Sequence, residues 1–421
     1  MSDLFWPGDH RAGTLFSGSA LVQAMIRVEQ AWLTGLATAG IAPVSVSQDL
    51  AGLVEESDLP VIAHDAEAGG NPVIPLVALL RERMADANPE ASRWLHRGLT
   101  SQDVLDTAIQ LCARDTLDRL ALELKSQTDA LAGLAVDHED TVMAGRTLTQ
   151  YAVPTTFGLK CAGWLSGLLD ARDDLDRVRA GMPAQLGGAA GSLAAVVELA
   201  THAGLADPET SAVGIADGVA EDLGLRARAP WHTARGPVTR LGDVLVTCTD
   251  AWGRIANDVL VLARPEIAEL AEPAPDGRDG RGGSSTMPEK RNPVLSVLIR
   301  RAALSTPPLA STLHLAAAEA VDERPDGGWH IEWSALRALA RTALVAGSQT
   351  TELLHGLDVD TARMRLTAEA AADVLLSERR SMATLFDTEP TAAGPGDYLG
   401  ASTALIDTVI DRARRSHEKL P

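Results

Sequence analysis

The segment GGSSTMPEKRNPV, residues 282–294, places hydroxyl and amino groups on a stretch whose glycines and prolines disfavour a helix. Ser284 and Ser285 supply two adjacent hydroxyls, and Lys290 supplies a cation close to them in sequence. A serine hydroxyl is weakly reactive until a neighbouring group activates it. A loop that closes over a substrate supplies both the positioning and the removal of water. The segment is therefore a candidate catalytic loop, although Lys290 taken alone resembles any surface lysine.

A second polar segment is HRGLTSQDVLDTA, residues 96–108. Thr100 or Ser101 fits the N-cap position of a helix, and Asp103 then falls in the first turn. Taken alone, the segment is better explained as an ordinary helix cap than as part of a site.

A third polar segment is GRTLTQYAVPTTFG, residues 145–158. Pro154 is expected to open a helix, because its missing N–H costs nothing in the first turn. Thr147, Thr149 and Gln150 would then lie just before a helix start, where backbone N–H groups favour an anion. This segment, too, could be only a helix entry.

Several well-known site patterns are missing from the sequence. The run GGAAGS, residues 187–192, lacks the G-x-G-x-x-G spacing of dinucleotide sites, and no phosphate-binding G-x-x-x-x-G-K-[ST] occurs. The histidines have no close metal-ligand spacing, so no metal is expected. Cys112, Cys161 and Cys248 lie far apart, which disfavours a disulfide framework and favours a reducing cytoplasm.

Composition narrows the class of protein further. The chain has 421 residues with a net charge of −20 and no polybasic run, so neither nucleic acid nor an anionic membrane surface is an expected partner. The amino terminus carries acid and proline where a signal peptide needs an apolar run. No stretch approaches the roughly 18 apolar residues of a membrane span. We therefore expect a soluble cytoplasmic protein.

The elements that must position these segments are helices. Apolar residues recur at spacings of three and four over long stretches, whereas convincing alternation of period two is absent. The fold is therefore predicted to be all-α. The long patterns run over residues 103–136, 154–180, 238–262, 293–319 and 329–354.

Breaks between these patterns predict the domain organisation. Helices this long are stable in a bundle, where each buries an apolar stripe against its neighbours. We expect an N-terminal helical domain (1–103), a central long-helix bundle (104–355) and a small C-terminal helical domain (356–421). The central domain carries the loop 272–293, which is rich in glycine and proline.

The three polar segments together resemble a known family. Residues 283–293 match the signature G-S-S-x-M-P-x-K-x-N-P of the fumarase/aspartase superfamily, and the segments around Thr100 and Thr147 match its first two conserved regions in order. Within the superfamily the sequence is similar to the prokaryotic 3-carboxy-cis,cis-muconate cycloisomerases. The further supporting stretches are GNPVIPLVALL (70–80), PWHTAR (230–235) and GGWHIEWSAL (327–336).

The resemblance carries implications for fold and activity. It implies a three-domain, all-helical homotetramer in which each active site combines conserved regions from three different subunits. It also implies a small polycarboxylate substrate and no cofactor. The implied reaction is lactonisation of 3-carboxymuconate to 4-carboxymuconolactone in protocatechuate catabolism, through an aci-carboxylate intermediate.

Two departures from related lyases bear on the reaction. Their second region reads G-R-T-H, with a histidine in acid/base work, but here that position is Leu148. Many of them also pair this histidine with a glutamate, at the position of Val297 here. Both losses argue against an enzyme that must protonate a leaving amine. The alternatives are an elimination lyase, of the adenylosuccinate, argininosuccinate or nitrosuccinate type, and a non-catalytic structural relative, which the intact signature argues against.

The resemblance also suggests roles for individual residues. Ser284 would exchange the proton at carbon, while Lys290 and Asn292 would stabilise enolate-like oxygens. His232 and His330 are alternative proton donors or ordinary structural histidines. The neutral residues expected at the substrate are Thr100, Ser101, Thr147, Gln150, Ser285 and Met287.

Arginines are expected to bind the substrate's carboxylates in a bidentate manner. Each of them could equally form an ion pair unrelated to substrate. The candidates are Arg97, Arg146, Arg235, Arg291 and Arg324. Glu289 is unexpected in a loop that closes over a tri-anion. The alternatives are an outward-directed side chain, a pair with Arg291, and a substrate with fewer carboxylates.

Overall fold

The computed structural model describes residues 4–272, 281–287, 289–386, 388 and 394–418, with side chains up to residue 416. Of the predicted loop 272–293, residues 273–280 and 288 thus lie outside the described part. In chain order the first helices are α1 (Gly18–Thr38), α2 (Leu59–Gly69), α3 (Val73–Met84), α4 (Pro89–Trp94), α5 (Ser101–Asp137), α6 (Phe157–Ala180), α7 (Ala194–His202) and α8 (Pro208–Asp222). They are followed by α9 (Gly236–Leu262), α10 (Val294–Ala318), α11 (Gly327–His355), α12 (Thr361–Ala370), α13 (Ala372–Leu375), α14 (Ser377–Thr384) and α15 (Ser402–Glu418).

The remaining regular structure is sparse. Short 3₁₀ turns lie at Asp9–Ala12, Val44–Val46, Ala51–Leu53, Glu56–Asp58 and Pro395–Asp397. The described strands are β1 (Val142–Thr147), β2 (Gln150–Thr156), β3 (Leu270–Ala271) and β4 (Asp358–Val359), and they pair antiparallel as β1–β2 and β3–β4. The prediction of an all-α fold is confirmed, and the β1–β2 hairpin and the two-residue β3–β4 pairing are local exceptions.

The five long helices α5, α6, α9, α10 and α11 lie where apolar periodicity predicts them. In α9 the periodic side chains are at most 2% exposed, and they are Leu241, Leu245, Cys248, Trp252 and Ile255. Their alternating spacing of four and three residues keeps them on one face of the helix. Among the described residues, none of the helices combines the length and apolar composition that crossing a membrane requires.

The hairpin of β1 and β2 corrects the prediction that Pro154 opens a helix. Pro154 instead lies in β2, paired with Ala144, and α6 begins only at Phe157. A proline is tolerated in this hairpin because each strand has a free edge where no N–H donor is needed. The cap of α6 is Thr156, whose Oγ1 accepts a hydrogen bond from the backbone N–H of Leu159 at 3.0 Å. Thr147, Thr149 and Gln150 therefore lie at a hairpin tip rather than at a helix entry.

The chain divides into two compact units, and the divisions fall within the five long helices. The first unit comprises residues up to 119, 175–245 and 307–344. In it, α1 and α8 approach closely because Gly35 has no side chain, since a Cβ atom there would lie 2.8 Å from Val219. The three-domain division predicted from the sequence stays a prediction.

The second unit comprises residues 120–174, 246–306 and those from 345 onward. A buried polar chain links its long helices, because the Trp252 indole donates to Gln127 at 2.7 Å and the Gln127 amide donates to the Gly347 carbonyl at 2.8 Å. Satisfied buried polar groups of this kind fix how neighbouring helices pack.

Candidate active site

Asp103 organises the first polar segment, which lies in the first unit. Its carboxylate is fully buried and accepts hydrogen bonds from the backbone N–H of Thr100 at 3.0 Å, as a helix cap would. It also accepts from the backbone N–H groups of Gly187 and Gly188, each at 2.9 Å, and from the Gln185 amide at 3.1 Å. Asp103 therefore fastens the start of α5 to the glycine-rich segment as well as capping the helix.

His232 lies beside this carboxylate and is 5% exposed. Its Nε2 is 3.1 Å from the Gln185 amide nitrogen and 3.4 Å from Oδ1 of Asp103. Because the amide nitrogen can only donate, the neutral ring carries its proton on Nδ1. A Cβ atom at Gly187 would lie 2.8 Å from Cε1 of His232, and one at Gly191 would lie 3.5 Å from Nδ1. The glycines thus leave room for the ring and for the N–H that it can present.

Arg235 is enclosed by two carboxylates. Its Nη1 and Nη2 contact the Asp106 oxygens at 2.7 and 3.1 Å, while Nε and Nη2 contact Glu332 at 3.0 and 2.5 Å. Nη1 also donates to the carbonyl of His232 at 3.2 Å, so all five N–H donors have acceptors. Arg235 is 2% exposed, and its guanidinium stacks on the Trp231 ring at 4.9 Å. The Arg235 charge is therefore neutralised inside the protein, and its hydrogen bond to the His232 carbonyl helps to hold His232 in place.

Burial and charge act in opposite directions in this cluster. Burial would lower the pKa of Arg235, but the two carboxylates outweigh it and the pKa lies above its ordinary value. Burial raises the pKa of Glu332, and the neighbouring Arg235 only partly offsets that rise. The cluster also receives the Trp329 indole N–H, which donates to Asp106 at 2.9 Å.

Two exposed arginines border the same segment. The Arg324 guanidinium donates a hydrogen bond to Oγ1 of Thr100. Arg97 lies three residues before Thr100, and its Nε donates to the Arg93 carbonyl at 2.8 Å. Unlike Arg235, both present their guanidinium groups at an exposed surface.

His330 lies at the start of α11 and is exposed. Its Nδ1 donates to the Asp326 carbonyl at 2.9 Å, which leaves Nε2 without a proton in the neutral ring. The ring contacts Trp333 with centroids 4.8 Å apart, and a Cβ atom at Gly70 would lie 3.5 Å from Nε2. The first unit therefore contains Thr100, His232 and His330, and Asp103 lies against the first two, at 3.0 Å from the Thr100 N–H nitrogen and 3.4 Å from Nε2 of His232.

The second polar segment forms the hairpin, which belongs to the second unit. Arg146 makes a bidentate ion pair with the fully buried Glu269, at 2.7 and 3.1 Å, and lies 5.6 Å from the Tyr151 ring centroid. Although burial would lower the pKa of Arg146, the hydrogen bonds and charge of Glu269 raise it above its ordinary value. Thr147 pairs with Gln150, and both are exposed.

The turn between Thr147 and Gln150 has an unusual backbone. Leu148 and Thr149 have φ values of 47° and 72°, in the left-handed region that glycine and asparagine favour. The Leu148 side chain is 96% exposed. The position that carries a histidine in related lyases is thus a strained, apolar hairpin tip.

The signature segment also belongs to the second unit. Oγ of Ser284 is the acceptor for the backbone N–H groups of Met287 at 3.2 Å and Thr286 at 3.4 Å. Two converging donors stabilise negative charge on an oxygen, as in an oxyanion hole. Lys290 has an exposed side chain, as do Ser285, Met287, Glu289 and Arg291.

Asn292 closes the base of the signature segment. Its backbone N–H and its side-chain amide both donate to the Gly282 carbonyl, at 2.8 and 3.0 Å. Gly282 has a φ of 75°, and a Cβ atom there would lie 2.4 Å from the Asn292 carbonyl oxygen, so no other residue fits. One amide N–H and the side-chain oxygen of Asn292 remain for other contacts.

Sequence reasoning missed the carboxylate partners of these residues. Asp106, Glu332 and Glu269 hold the two arginines, and Gln185 orients His232. The only available signals were the Asp103–Asp106 spacing on one helix face and the glutamate inside WHIEW. Within the described residues, no group of three or more His, Cys, Asp or Glu side chains could hold a metal ion.

Comparisons with known proteins give the family. A family model described as a lyase matches residues 15–305. The chain is 42% identical over 376 residues to the nitrosuccinate lyase of Streptomyces davaonensis, covering 88% of this chain and 78% of that protein. It is 37% identical over 376 residues to the 3-carboxy-cis,cis-muconate cycloisomerase of Pseudomonas putida, covering 87% of this chain and 84% of that protein.

A solved structure agrees with these matches. The crystal structure of the 3-carboxy-cis,cis-muconate lactonizing enzyme from Pseudomonas putida superposes with a TM-score of 0.82 at 31% identity, covering 95% of this chain and 96% of that one. The range matched by the family model contains all three polar segments, residues 96–108, 145–158 and 282–294. The chain is therefore an enzyme that belongs to the fumarase/aspartase superfamily.

Proposed function

We propose that this enzyme is a cytoplasmic 3-carboxy-cis,cis-muconate cycloisomerase, which adds a substrate carboxylate across a C=C bond of the same molecule. The observation that carries the proposal is the likeness to the muconate lactonizing enzyme over 95% of this chain. Leu148 argues against the amine-releasing lyases, because an exposed apolar side chain replaces their histidine. An intramolecular addition has no leaving group to protonate. The cycloisomerase relative at 37% identity supports the same assignment.

Ser284 is the group that exchanges the proton at carbon. When the substrate carboxylate oxygen bonds to one alkene carbon, the electron pair moves onto the conjugated carboxylate and forms the aci-carboxylate. The Ser284 hydroxyl then gives its proton to the adjacent carbon and is left as an alkoxide. The N–H groups of Thr286 and Met287 stabilise that alkoxide until solvent returns the proton. Binding the substrate in a conformation that brings its carboxylate oxygen close to the alkene carbon supplies much of the remaining rate enhancement.

The substrate's carboxylates need donors and cations at exposed positions. Arg324, Arg97 and Lys290 meet that requirement, whereas Arg146 and Arg235 are committed to buried carboxylates and act as supports. The neutral donors are Thr100, Ser101, Thr147, Gln150 and Ser285. We propose a homotetramer in which three subunits complete each site, without a cofactor.

His232 is the alternative proton donor, through the N–H on Nδ1. Its Nε2 is held by Gln185, so the ring orientation is fixed before substrate arrives. His330 has the opposite arrangement, with Nδ1 donating to a carbonyl and Nε2 able to accept a proton. In their neutral forms, His232 can therefore donate a proton from Nδ1, whereas His330 can accept one at Nε2.

A second candidate function is elimination of nitrite from nitrosuccinate. It is supported by the relative named nitrosuccinate lyase at 42% identity. Nitrite leaves as a stable anion and needs no proton, so Leu148 suits this reaction as well. Ser284 would then remove a proton from the carbon beside a carboxylate instead of adding one.

The experiment that tests the proposal compares substrates on the purified protein. Incubation with 3-carboxy-cis,cis-muconate should remove the diene absorbance and yield the lactone. Nitrosuccinate should release little nitrite, and adenylosuccinate and argininosuccinate should be unchanged. Rapid nitrite release with a persistent diene would instead establish the second candidate.

A further inference from the structure

Glu269 and Glu272 lie on either side of strand β3, and each binds a different polar segment. Glu269 is fully buried and holds Arg146 of the hairpin through two hydrogen bonds, at 2.7 and 3.1 Å. This ion pair fixes β1 one residue before Thr147, at the base of the hairpin tip. A bidentate arginine–carboxylate pair sets direction as well as distance.

Glu272 caps the helix that follows the signature segment. Its Oε2 accepts the backbone N–H of Leu295 at 2.9 Å, and its Oε1 accepts the backbone N–H of Ser296 at 2.6 Å. These first-turn donors of α10 have no partner within the helix itself. A carboxylate at this end is further stabilised by the helix dipole. Since α10 begins two residues after Asn292, the cap fixes the end of the signature segment.

Strand β3 connects the two glutamates rigidly. Leu270 pairs with Val359 and Ala271 pairs with Asp358, while the backbone N–H of Asp360 donates to the Glu269 carbonyl at 3.1 Å. Glu269 and Glu272 therefore flank a two-residue backbone segment that strand pairing holds.

We propose that Glu269 and Glu272 form an acidic bracket that positions the hairpin and the signature segment for catalysis. Neither glutamate touches substrate: Glu269 acts through Arg146 and Glu272 acts through the amino terminus of α10. The catalytic part of the inference rests on the proposed function, because it assigns Ser284 and Lys290 the chemistry. Its structural part, the cap on α10, is independent of any substrate.

The bracket predicts different kinetic effects for its two ends. Glu272→Gln keeps the shape but offers one acceptor oxygen to two N–H donors, so Lys290 and Asn292 shift relative to the reacting carbon. Displacements of about 1 Å can cost ~10²-fold in rate, and we expect kcat to fall by roughly 10- to 100-fold with KM within about threefold. Glu269→Gln loosens the hairpin that carries carboxylate-binding groups, so we expect mainly a higher KM. Glu272→Asp, which keeps the charge, should restore part of kcat.

The matched control is Asp207→Asn, which alters the cap of α8. Asp207 is the N-cap residue of α8 and accepts the backbone N–H of Thr210 at 3.1 Å, so it too places a carboxylate at a helix amino terminus. Asp207→Asn also removes a negative charge from a helix amino terminus, but it should lose little thermal stability, because asparagine remains a good N-cap, and it should keep kcat and KM. Equal kcat losses in Asp207→Asn and Glu272→Gln would show general destabilisation and overturn the inference.

Amide hydrogen exchange provides a readout that needs no substrate. Peptides covering Leu295 and Ser296 should exchange at least about tenfold faster in Glu272→Gln and unchanged in Asp207→Asn, because loss of the cap opens the first turn. If the wild type converts none of the four substrates, the proposed function fails, but the hydrogen-exchange rates of Leu295 and Ser296 still test whether Glu272 caps α10. Unaltered exchange in Glu272→Gln overturns the bracket whatever the activity.

Discussion

Replacing Arg235 with methionine separates a structural arginine from a substrate-binding one. The side chain is 2% exposed, and its five N–H donors are all bound inside the protein. Methionine keeps much of the length and removes the charge. Asp106 would retain hydrogen bonds from Gln102 at 3.1 Å and Trp329 at 2.9 Å. Among the described residues, the carboxylate of Glu332 receives hydrogen bonds only from Arg235.

The expected loss in the free energy of unfolding follows from those contacts. Breaking a buried ion pair by removing one partner costs about 3–5 kcal/mol, because a buried charge is left uncompensated. Burial already raises the pKa of Glu332, and loss of Arg235 removes the effect that lowers it. A raised carboxyl pKa contributes stability that is present at low pH and lost as pH rises through that pKa. The deficit of Arg235→Met should therefore be larger at pH 7 than at pH 5.

The assay is urea unfolding followed by tryptophan fluorescence, with KM measured in parallel. Arg179→Met is the control, since Arg179 pairs with the exposed Asp118 at 2.6 Å. Removing such a surface pair should cost about 0.2–1 kcal/mol. A loss below about 1 kcal/mol in Arg235→Met, together with a large rise in KM, would refute the structural role and make Arg235 a substrate ligand.

Two further predictions concern the hairpin tip and the thiols. Replacing Leu148 by asparagine and Thr149 by glycine should raise the free energy of unfolding by about 1 kcal/mol or more, since both positions have positive φ. A lower urea midpoint would contradict the strain argument. At pH 8 in the native state, 5,5′-dithiobis(2-nitrobenzoate) should leave all three thiols unmodified until urea is added, because burial raises their pKa values. Fast native labelling would disprove the burial of Cys112, Cys161 and Cys248.

The long helices could be predicted because their apolar faces repeat over many turns. In α9 the buried side chains follow the helical period closely enough that no other structure fits. The hairpin could not be predicted from apolar periodicity, because its strands are short. Pro154 also occupies a position that is typical of the first turn of a helix. Pairing with β1 decides the structure of β2, but the turn residues Leu148 and Thr149 lack the glycine or asparagine that marks a two-residue hairpin turn in a sequence.

The signature segment could be singled out as a candidate catalytic loop, but the carboxylate partners of the arginines could not be predicted. Arg146 and Glu269 are 123 positions apart, and Arg235 and Glu332 are 97 apart. Only the fold shows that these two arginines face buried carboxylates whereas Arg324 faces outward beside Thr100. The sequence alone therefore does not separate arginines that are free to bind a substrate from arginines that are paired with buried carboxylates far away in the chain.

The most direct test of the account is the turnover of 3-carboxy-cis,cis-muconate by Ser284→Ala in deuterium oxide. Wild type should form 4-carboxymuconolactone with one solvent deuteron at the carbon beside the conjugated carboxylate. Ser284→Ala should lose at least about 10²-fold in kcat, the usual contribution of a positioned acid or base. His232→Asn and His330→Gln should stay within about tenfold of wild type, since a residue that only supports the site costs less than the acid itself. Full turnover by Ser284→Ala, with loss of turnover in either histidine variant, would contradict the assignment of the proton to Ser284.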